Sequence, residues 1–179
     1  MAEAASQNES VLDLVIPEAE SLVAPYRLKY DPSATVGVPA HVTVLYPFLP
    51  PEQIDDEMLS RLAALFADQP AFRIRFEGTG RFPDVLYLEP QPAAPIVALT
   101  EMVAAAFPEY PPYGGIYPTV MPHLTIAHVE DDALLQQLDQ KIMRTAGDLL
   151  PISSDIRKVT LYEERDERWS ATHTFPLTG

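Results

Sequence analysis

The sequence predicts an α+β fold in which antiparallel pairing is mixed with crossovers. Three observations support this class. Segments with strand-like alternation and segments with helical spacing follow each other along the chain. Nineteen prolines cluster between them, notably at 50–51, 90–95 and 108–118. The elements of 40–76 are echoed loosely in 122–160, each as a motif strand, a loop, a helix and a strand. We therefore expect 1–179 to form a single domain of two related lobes.

The strand predictions rest on short runs rich in β-branched and aromatic residues. In 72–76 the apolar side chains face one way, and Arg73 and Arg75 face the other. The glycines of 78–80 predict a turn into the next strand, and the charged run 163–168 predicts a hairpin tip. The strands expected are 11–16, 40–48, 72–76, 85–88, 123–129, 156–162 and 169–175.

Helices are predicted where apolar residues recur at three- and four-residue spacing. Two of them begin at aspartate pairs that can cap a first turn, 55–56 and 131–132. The segment 17–30 follows no single period, and a helix is one interpretation of it. The helices expected are 17–30, 55–67, 95–107 and 131–146. The acidic, polar residues 1–10 are expected to form a disordered tail.

The charge, the cysteine count and the apolar runs of the chain exclude or disfavour several classes of function. The net charge is −14, with 12 basic and 26 acidic residues, whereas duplex nucleic acids are bound largely by Lys and Arg that neutralise phosphates. The chain has no cysteine, so disulfides, thiolate nucleophiles and Cys-ligated metals are excluded. It also lacks the run of roughly 20 apolar residues that a membrane helix needs. We expect a monomeric cytoplasmic protein that binds neither duplex nucleic acid nor membranes.

One short pattern occurs twice, as His41-Val42-Thr43-Val44 and as His123-Leu124-Thr125-Ile126. Because successive side chains of a strand alternate between faces, each His shares a face with its Thr, while the aliphatic residues point the other way. A histidine, with a pKa of about 6.5, takes or gives a proton near neutral pH, and a threonine hydroxyl can donate to a phosphate oxygen. Two copies face to face supply a base, an acid and two donors for in-line attack at phosphorus without a metal.

The paired motif resembles the 2H phosphoesterase superfamily, also called the RNA 2′,5′-ligase-like or cyclic phosphodiesterase-like family. The surroundings are similar too. The run 41–48, HVTVLYPF, looks like the first family motif with its trailing proline and aromatic residue. The run 80–88, GRFPDVLYL, looks like the central hairpin, and 122–127, PHLTIA, looks like the second motif. The resemblance extends over about 11–175.

The resemblance implies a bilobal fold in which two antiparallel-rich sheets form a concave groove with helices on the outside. It also implies substrates that are cyclic phosphates or phosphodiesters of nucleotides. His41 and His123 are then the acid–base pair, and Thr43 and Thr125 bind the phosphate. The expected partner is a small nucleotide, a cyclic phosphate or an RNA end.

Four further residues are candidates for the groove. Arg73 and Arg75 would line it if the apolar face of their strand packs on a helix, and would then supply local positive charge. Phe82 or Tyr46 could stack on a base. A solvated strand face for the arginines and core packing for the aromatic residues are the competing interpretations. The tyrosine-rich loop 108–118 is either a cover for the groove or an ordinary surface connection.

Alternatives to a metal-free hydrolase stay open. Zinc would need an acidic partner beside the histidines, and strand alternation places a hydroxyl beside each, so we expect no metal and no cofactor. The reverse chemistry, 2′-5′ end joining of RNA, uses the same groups with a 5′-hydroxyl nucleophile. A nucleotide-binding module without catalysis would use the motifs for phosphate alone. His128 and His173 are expected to have no role in catalysis.

Overall fold

The computed structural model describes residues 8–179. Its eight strands form two four-stranded antiparallel sheets, one ordered β2-β1-β7-β8 and the other β5-β4-β3-β6. The strands are β1 Ser10–Val15, β2 His41–Leu45, β3 Phe72–Arg81, β4 Val85–Gln91, β5 Leu124–His128, β6 Ile152–Ile156, β7 Lys158–Arg165 and β8 Arg168–Pro176.

Five α-helices connect the strands, and the segment 17–30 is largely helical. Aspartates cap two of the helices as predicted, because Asp55 Oδ1 accepts from the backbone N–H of Met58 at 2.8 Å and Asp131 Oδ1 accepts from that of Leu134 at 3.0 Å. The helices are α1 Glu20–Tyr30, α2 Pro32–Thr35, α3 Asp56–Ala67, α4 Ala94–Ala106 and α5 Asp132–Thr145. None of the helices described is long and apolar enough to cross a bilayer.

The helices cover the outer faces of the two sheets. Helices α3 and α4 contact β8 and β2 of the first sheet, and α1 and α5 contact β5, β4 and β3 of the second. One continuous apolar cluster runs through both halves, from Leu12 and Val44 in the first sheet to Ile74 and Ile126 in the second. The predicted α+β class, with two antiparallel sheets around a concave groove and helices outside, is therefore confirmed.

The topology brings the two motif strands to the boundary between the sheets. Among the described strands, β2 pairs only with β1, and β5 pairs only with β4, so each motif strand is the edge strand of its own sheet. The two edges contact each other across the boundary. Residues far apart in sequence, His41 and His123, are thereby placed in one region.

The turn predicted at 78–80 is wrong. β3 continues through these residues with a bulge between Phe76 and Thr79, and the chain reverses after Phe82, whose backbone N–H donates to Val85 at 2.9 Å. Glycine is tolerated in a strand at a bulge or where another group approaches the backbone closely. Both conditions hold here, since the ring of Tyr87 lies directly over Gly80.

The sequence patterns also missed β6 and misplaced two boundaries. Ile152–Ile156 is a strand of its own, in which Ile152, Ser154 and Ile156 are buried. The hairpin tip is the two-residue turn Asp166–Glu167, both with positive φ, because β7 extends to Arg165. Of the tail predicted for 1–10, residues 1–7 lie outside the described part of the chain. Ser10 already belongs to β1, with its hydroxyl bonded to the Leu49 carbonyl at 2.6 Å.

Candidate active site

His41 is the first residue of β2, and a backbone carbonyl two residues earlier holds its ring in place. Its Nδ1 lies 2.7 Å from the carbonyl oxygen of Pro39. A carbonyl oxygen only accepts, so this bond places the hydrogen on Nδ1 and leaves Nε2 as the nitrogen that exchanges a proton. The half-buried ring therefore has one fixed tautomer when it is neutral.

His123 repeats the arrangement on the other sheet. It lies one residue before β5, and its Nδ1 is 2.8 Å from the carbonyl oxygen of Met121. The anchoring carbonyl again belongs to the residue two positions earlier, so Nε2 is again the free nitrogen. The two motifs thus share ring anchoring that strand alternation alone does not reveal.

The rings of His41 and His123 are close enough to interact electrostatically. Burial lowers the pKa of His123 below its ordinary value, a hydrogen bond to the Met121 carbonyl opposes this, and the nearby His41 lowers the pKa further. A charge on one ring therefore disfavours a charge on the other.

Thr43 and Thr125 follow the strand alternation of β2 and β5. Both side chains are half-buried, while their aliphatic neighbours are fully buried on the opposite face. Thr43 lies opposite Asp13 in the β1–β2 register, and Thr125 lies opposite Tyr87 in the β4–β5 register. Each hydroxyl is thus presented on the same face as the histidine of its own motif.

The expectation that only hydroxyls stand beside the histidines is wrong for His41. Its Nε2 lies 4.0 Å from Oδ2 of Asp13, in the middle of β1. Asp13 is completely buried. Burial raises the pKa of Asp13, while the charges of His41 and Arg27 act in the opposite direction. One sequence signal could have revealed it, a lone aspartate within the apolar run 11–16.

Aromatic rings surround His123. The Phe82 ring meets it edge-on at 5.1 Å between centroids, the Tyr87 ring lies at 5.5 Å, and the two rings are 4.5 Å apart. Phe82 thus lies beside His123, and Tyr87 is a second aromatic neighbour that the sequence patterns did not single out. A Cβ at Gly80 would come within 2.5 Å of the Tyr87 ring, so glycine there makes room for this cluster.

The loop 108–118 reaches the first motif. The backbone N–H of Tyr113 donates to the carbonyl of Tyr46 at 2.6 Å. Burial, with contributions from Asp13 and Tyr117, raises the pKa of Tyr113 to about 12. The loop therefore packs one tyrosine near Asp13. The phenol of Tyr46 donates to Glu9, and its ring lies 6.3 Å from that of Trp169.

The two arginines lie on the sheet face opposite the helices, as the alternation predicted, but each is paired. Arg73 bonds Asp155 at 2.6 Å, and Arg75 bonds Glu77 at 3.1 Å. Both are well exposed. Arg75 pairs in register with Gln91. Gln91 is four residues along β4 from Tyr87, which corresponds to a distance of about 13 Å in a strand. Each arginine thus has a carboxylate partner on the exposed face of β3.

The other two histidines lie apart from this cluster. His128 is exposed and bonds Asp84 at 3.0 Å, and His173 is exposed on β8. Within residues 8–179, no group of three or more His, Asp or Glu is arranged to hold a metal ion. A cavity of about 360 Å³ lies between α1 and α5, lined by Tyr26 and Lys141 among others and by none of the motif side chains.

Comparison with known proteins identifies the fold. The chain is similar to TT0787 of Thermus thermophilus, with 20% identity and a TM-score of 0.63, covering 96% of this chain and 98% of that one. It is similar to E. coli LigT in complex with 3′-AMP and with ATP, each with 19% identity and a TM-score of 0.61 over 96% and 99% of the two chains. LigT complexed with NADP+ matches at 19% identity and a TM-score of 0.58, over 97% and 99%. At these identities the likeness shows the fold alone.

Sequence comparison supplies the family. No curated protein sequence matches the chain significantly. The family model of the 2′-5′ RNA ligase superfamily matches residues 15–168, which is most of the chain and includes both His-x-Thr motifs. The chain therefore belongs to the 2′-5′ RNA ligase superfamily of 2H phosphoesterases and RNA ligases, which implies a phosphoryl-transfer enzyme.

Proposed function

We propose that this chain is a metal-independent phosphodiesterase that acts on 2′,3′-cyclic nucleotides, related small cyclic phosphates or RNA ends. The observation that carries the proposal is the matched pair of histidines. Each shares a face with a threonine, and each is anchored through Nδ1 to the carbonyl two residues earlier, which leaves Nε2 free. One ring can accept a proton from the nucleophile while the other donates one to the leaving oxygen.

Thr43 and Thr125 are proposed to hold the non-bridging phosphate oxygens. Their hydroxyls lie on the faces that carry the two histidines, so one phosphate can contact both motifs. Because Arg73 and Arg75 are paired with carboxylates, a protonated histidine supplies the positive charge beside the phosphate. That modest charge suits the single negative charge of a diester.

The size and charge of the molecule support a small substrate. The net charge of −14 disfavours a long nucleic acid, whose binding depends on many Lys and Arg contacts. The complexes of E. coli LigT with 3′-AMP and ATP support a ligand of nucleotide size. An RNA terminus remains compatible, since only its last nucleotides would occupy the groove.

A turnover screen tests this proposal. Cyclic and linear mononucleotides and a short RNA with a 2′,3′-cyclic end are incubated with the enzyme in excess EDTA, with the double variant H41A/H123A as control. We expect the wild-type chain to hydrolyse cyclic phosphates and the double variant not to hydrolyse them. Loss of activity in EDTA and its return with zinc would contradict the proposal, as would turnover by the double variant.

The same screen addresses RNA end joining, which the family name supports as a second candidate. Adding an RNA with a 5′-hydroxyl to the cyclic-ended RNA offers water and a hydroxyl as competing nucleophiles. We expect the hydrolysed end as the main product. A longer RNA that forms faster than the hydrolysed end would assign the chain as a ligase.

A further inference from the structure

Asp13 is an unusual residue for the middle of a buried strand. Its exposure is 0%, and neither carboxylate oxygen has a hydrogen-bond partner among residues 8–179. A buried polar group without a partner opposes folding, and a buried charge does so more strongly. No packing advantage over an apolar side chain explains it. A chemical purpose at the adjacent site does.

The group that Asp13 faces is the reactive nitrogen of His41. The 4.0 Å between Oδ2 and Nε2 is too long for a hydrogen bond, yet short enough for strong attraction between opposite charges at low dielectric. The carboxylate therefore favours a positive ring without capturing the Nε2 hydrogen. That hydrogen stays available to a substrate oxygen.

His123 has the opposite surroundings. Within the described chain, no carboxylate oxygen lies within 4.0 Å of its ring nitrogens, and the rings of Phe82 and Tyr87 are its neighbours. Apolar, partly buried surroundings favour the neutral imidazole. The two motifs match in sequence and anchoring, and they differ in the group that stands beside the free nitrogen.

We propose that Asp13 is a positioning residue that favours the protonated ring of His41, which makes His41 the general acid and His123 the general base. This inference rests on the proposed phosphodiesterase function and deepens it. Asp13 belongs to neither motif, and its presence makes the two otherwise equivalent histidines chemically different.

The proposed step balances as follows for a cyclic phosphate. A water oxygen forms a bond to phosphorus and gives a proton to Nε2 of His123. The bond from phosphorus to the leaving ring oxygen breaks, and that oxygen takes the proton from Nε2 of His41. The products are a phosphate monoester and a free hydroxyl, with the two histidines left in exchanged protonation states. Proton exchange with solvent restores them.

The other groups around the pair leave this assignment in place. Burial, and after it Asp13, raises the pKa values of Tyr162 on β7 and Tyr113 in the loop, so both phenols stay neutral. On α1, the Arg27 guanidinium bonds Asp31 at 2.9 Å, and Glu20 accepts from the backbone N–H of Ala40 at 2.6 Å. Thr43 on β2 and Thr160 on β7 lie opposite Asp13 and carry no charge.

The first test follows ring protonation directly by NMR titration of the histidines, without any substrate. In the wild-type chain we expect His41 to hold its proton to a higher pH than His123. In Asp13→Asn, His41 should lose its proton at lower pH, by about one pH unit, which is a tenfold change in equilibrium. The matched control is Asp84→Asn, which removes the carboxylate beside His128 and should leave His41 unchanged.

The second test uses leaving groups. A nucleoside 4-nitrophenyl phosphodiester releases a phenolate that departs without a proton, whereas a cyclic nucleotide releases an alkoxide that needs one. We expect His41→Ala to lose 10²- to 10⁴-fold on the cyclic substrate and less than about tenfold on the nitrophenyl ester. His123→Ala should lose heavily on both. The reverse pattern, or equal losses in both variants, overturns the assignment.

The pH profile separates positioning from structure. Asp13→Asn should move the alkaline limb of kcat/KM to lower pH by about one unit and keep the acid limb in place. A uniform loss at every pH, or His41 titration identical to that of the wild-type chain, overturns the role of Asp13. Failure of the proposed function would appear separately, as no turnover of any phosphodiester while the titration order of the rings is still measured.

Discussion

At the scale of single residues, the site consists of two histidines with equal anchoring and unequal neighbours. His41 lies near a buried carboxylate, and His123 lies against two aromatic rings. Identical residues can therefore hold protons differently. One prediction concerns the protonation of His123, and the other concerns the effect of Asp13 on stability.

Removing the Phe82 ring should make His123 more basic. Burial lowers the pKa of His123 below the ordinary histidine value of about 6.5. The ring is therefore still neutral, and still able to accept a proton, at a pH where an exposed histidine is already protonated. Phe82→Ala admits water and reduces this effect. We expect the acid limb of the kcat/KM profile to move to higher pH while the alkaline limb stays in place. An unmoved acid limb would contradict the link between burial and the protonation of His123.

Asp13 should reduce stability while supporting activity. Burial raises its pKa, so the stabilisation from its bound proton is full below the unfolded value of about 3.9 and is lost as the pH rises through the folded value. The ionised form therefore opposes folding near neutral pH. We expect Asp13→Asn to increase the free energy of unfolding by about 1 kcal/mol at pH 8.

Urea unfolding at several pH values measures this effect. The gain from Asp13→Asn should shrink as the pH falls, because Asp13 in the folded wild-type chain becomes protonated. Asp84→Asn, a change at a half-buried position beside the exposed His128, should stay within about 0.5 kcal/mol of the wild-type chain. A variant less stable than the wild-type chain at pH 8 would contradict the proposed cost of the buried carboxylate.

At the scale of elements, β3 and β4 build the wall beside His123. Gly80 lies under the Tyr87 ring, and the nearest ring atoms would be 2.5 Å from an added Cβ. Contacts that short force the ring or the strand to move. The aromatic wall beside His123 therefore depends on a glycine in β3, two strands away from β5.

Gly80→Ala should consequently impair both folding and turnover. We expect a loss of about 1–3 kcal/mol in stability and a fall of roughly tenfold in kcat/KM through the displaced Tyr87 ring. Gly78→Ala is the matched control, since nothing lies within 4 Å of a Cβ there in the same strand. Equal effects of the two substitutions would show that the Tyr87 contact does not matter.

Elements with strong local signals were predictable from the sequence, and those shaped by tertiary contacts were not. Asp55 and Asp131 mark the starts of α3 and α5 because capping is a local interaction. The strand β6 was missed since its five residues include two serines and an aspartate. Gly78 and Gly80 suggested a turn because a bulge under an aromatic ring leaves no local trace.

The same distinction holds for the site. The repeated His-x-Thr pattern predicts which residues share a face, since strand alternation is local. Pairing of β1 with β2 brings Asp13 to His41, and that pairing spans about thirty residues of chain. Tyr87 reaches His123 through the β4–β5 pairing in the same way. Neither partner could be identified before the register was known.

At the scale of the whole molecule, the groove depends on two sheets that meet at their edges. The apolar cluster is continuous from one sheet to the other, which leads us to propose that the two lobes form one domain. Urea unfolding followed by Trp169 fluorescence, which reports the first sheet, should coincide with unfolding followed by far-UV circular dichroism. Two separate transitions would show that the lobes fold independently.

We propose that His41 and His123 together carry out phosphodiester hydrolysis without a metal. The most direct measurement is the rate of 2′,3′-cyclic nucleotide hydrolysis in excess EDTA by the wild-type chain, His41→Ala and His123→Ala, with folding checked by circular dichroism. We predict turnover by the wild-type chain and a loss of at least about 10²-fold in each folded variant. Hydrolysis by either variant at a rate close to that of the wild-type chain would contradict the claim.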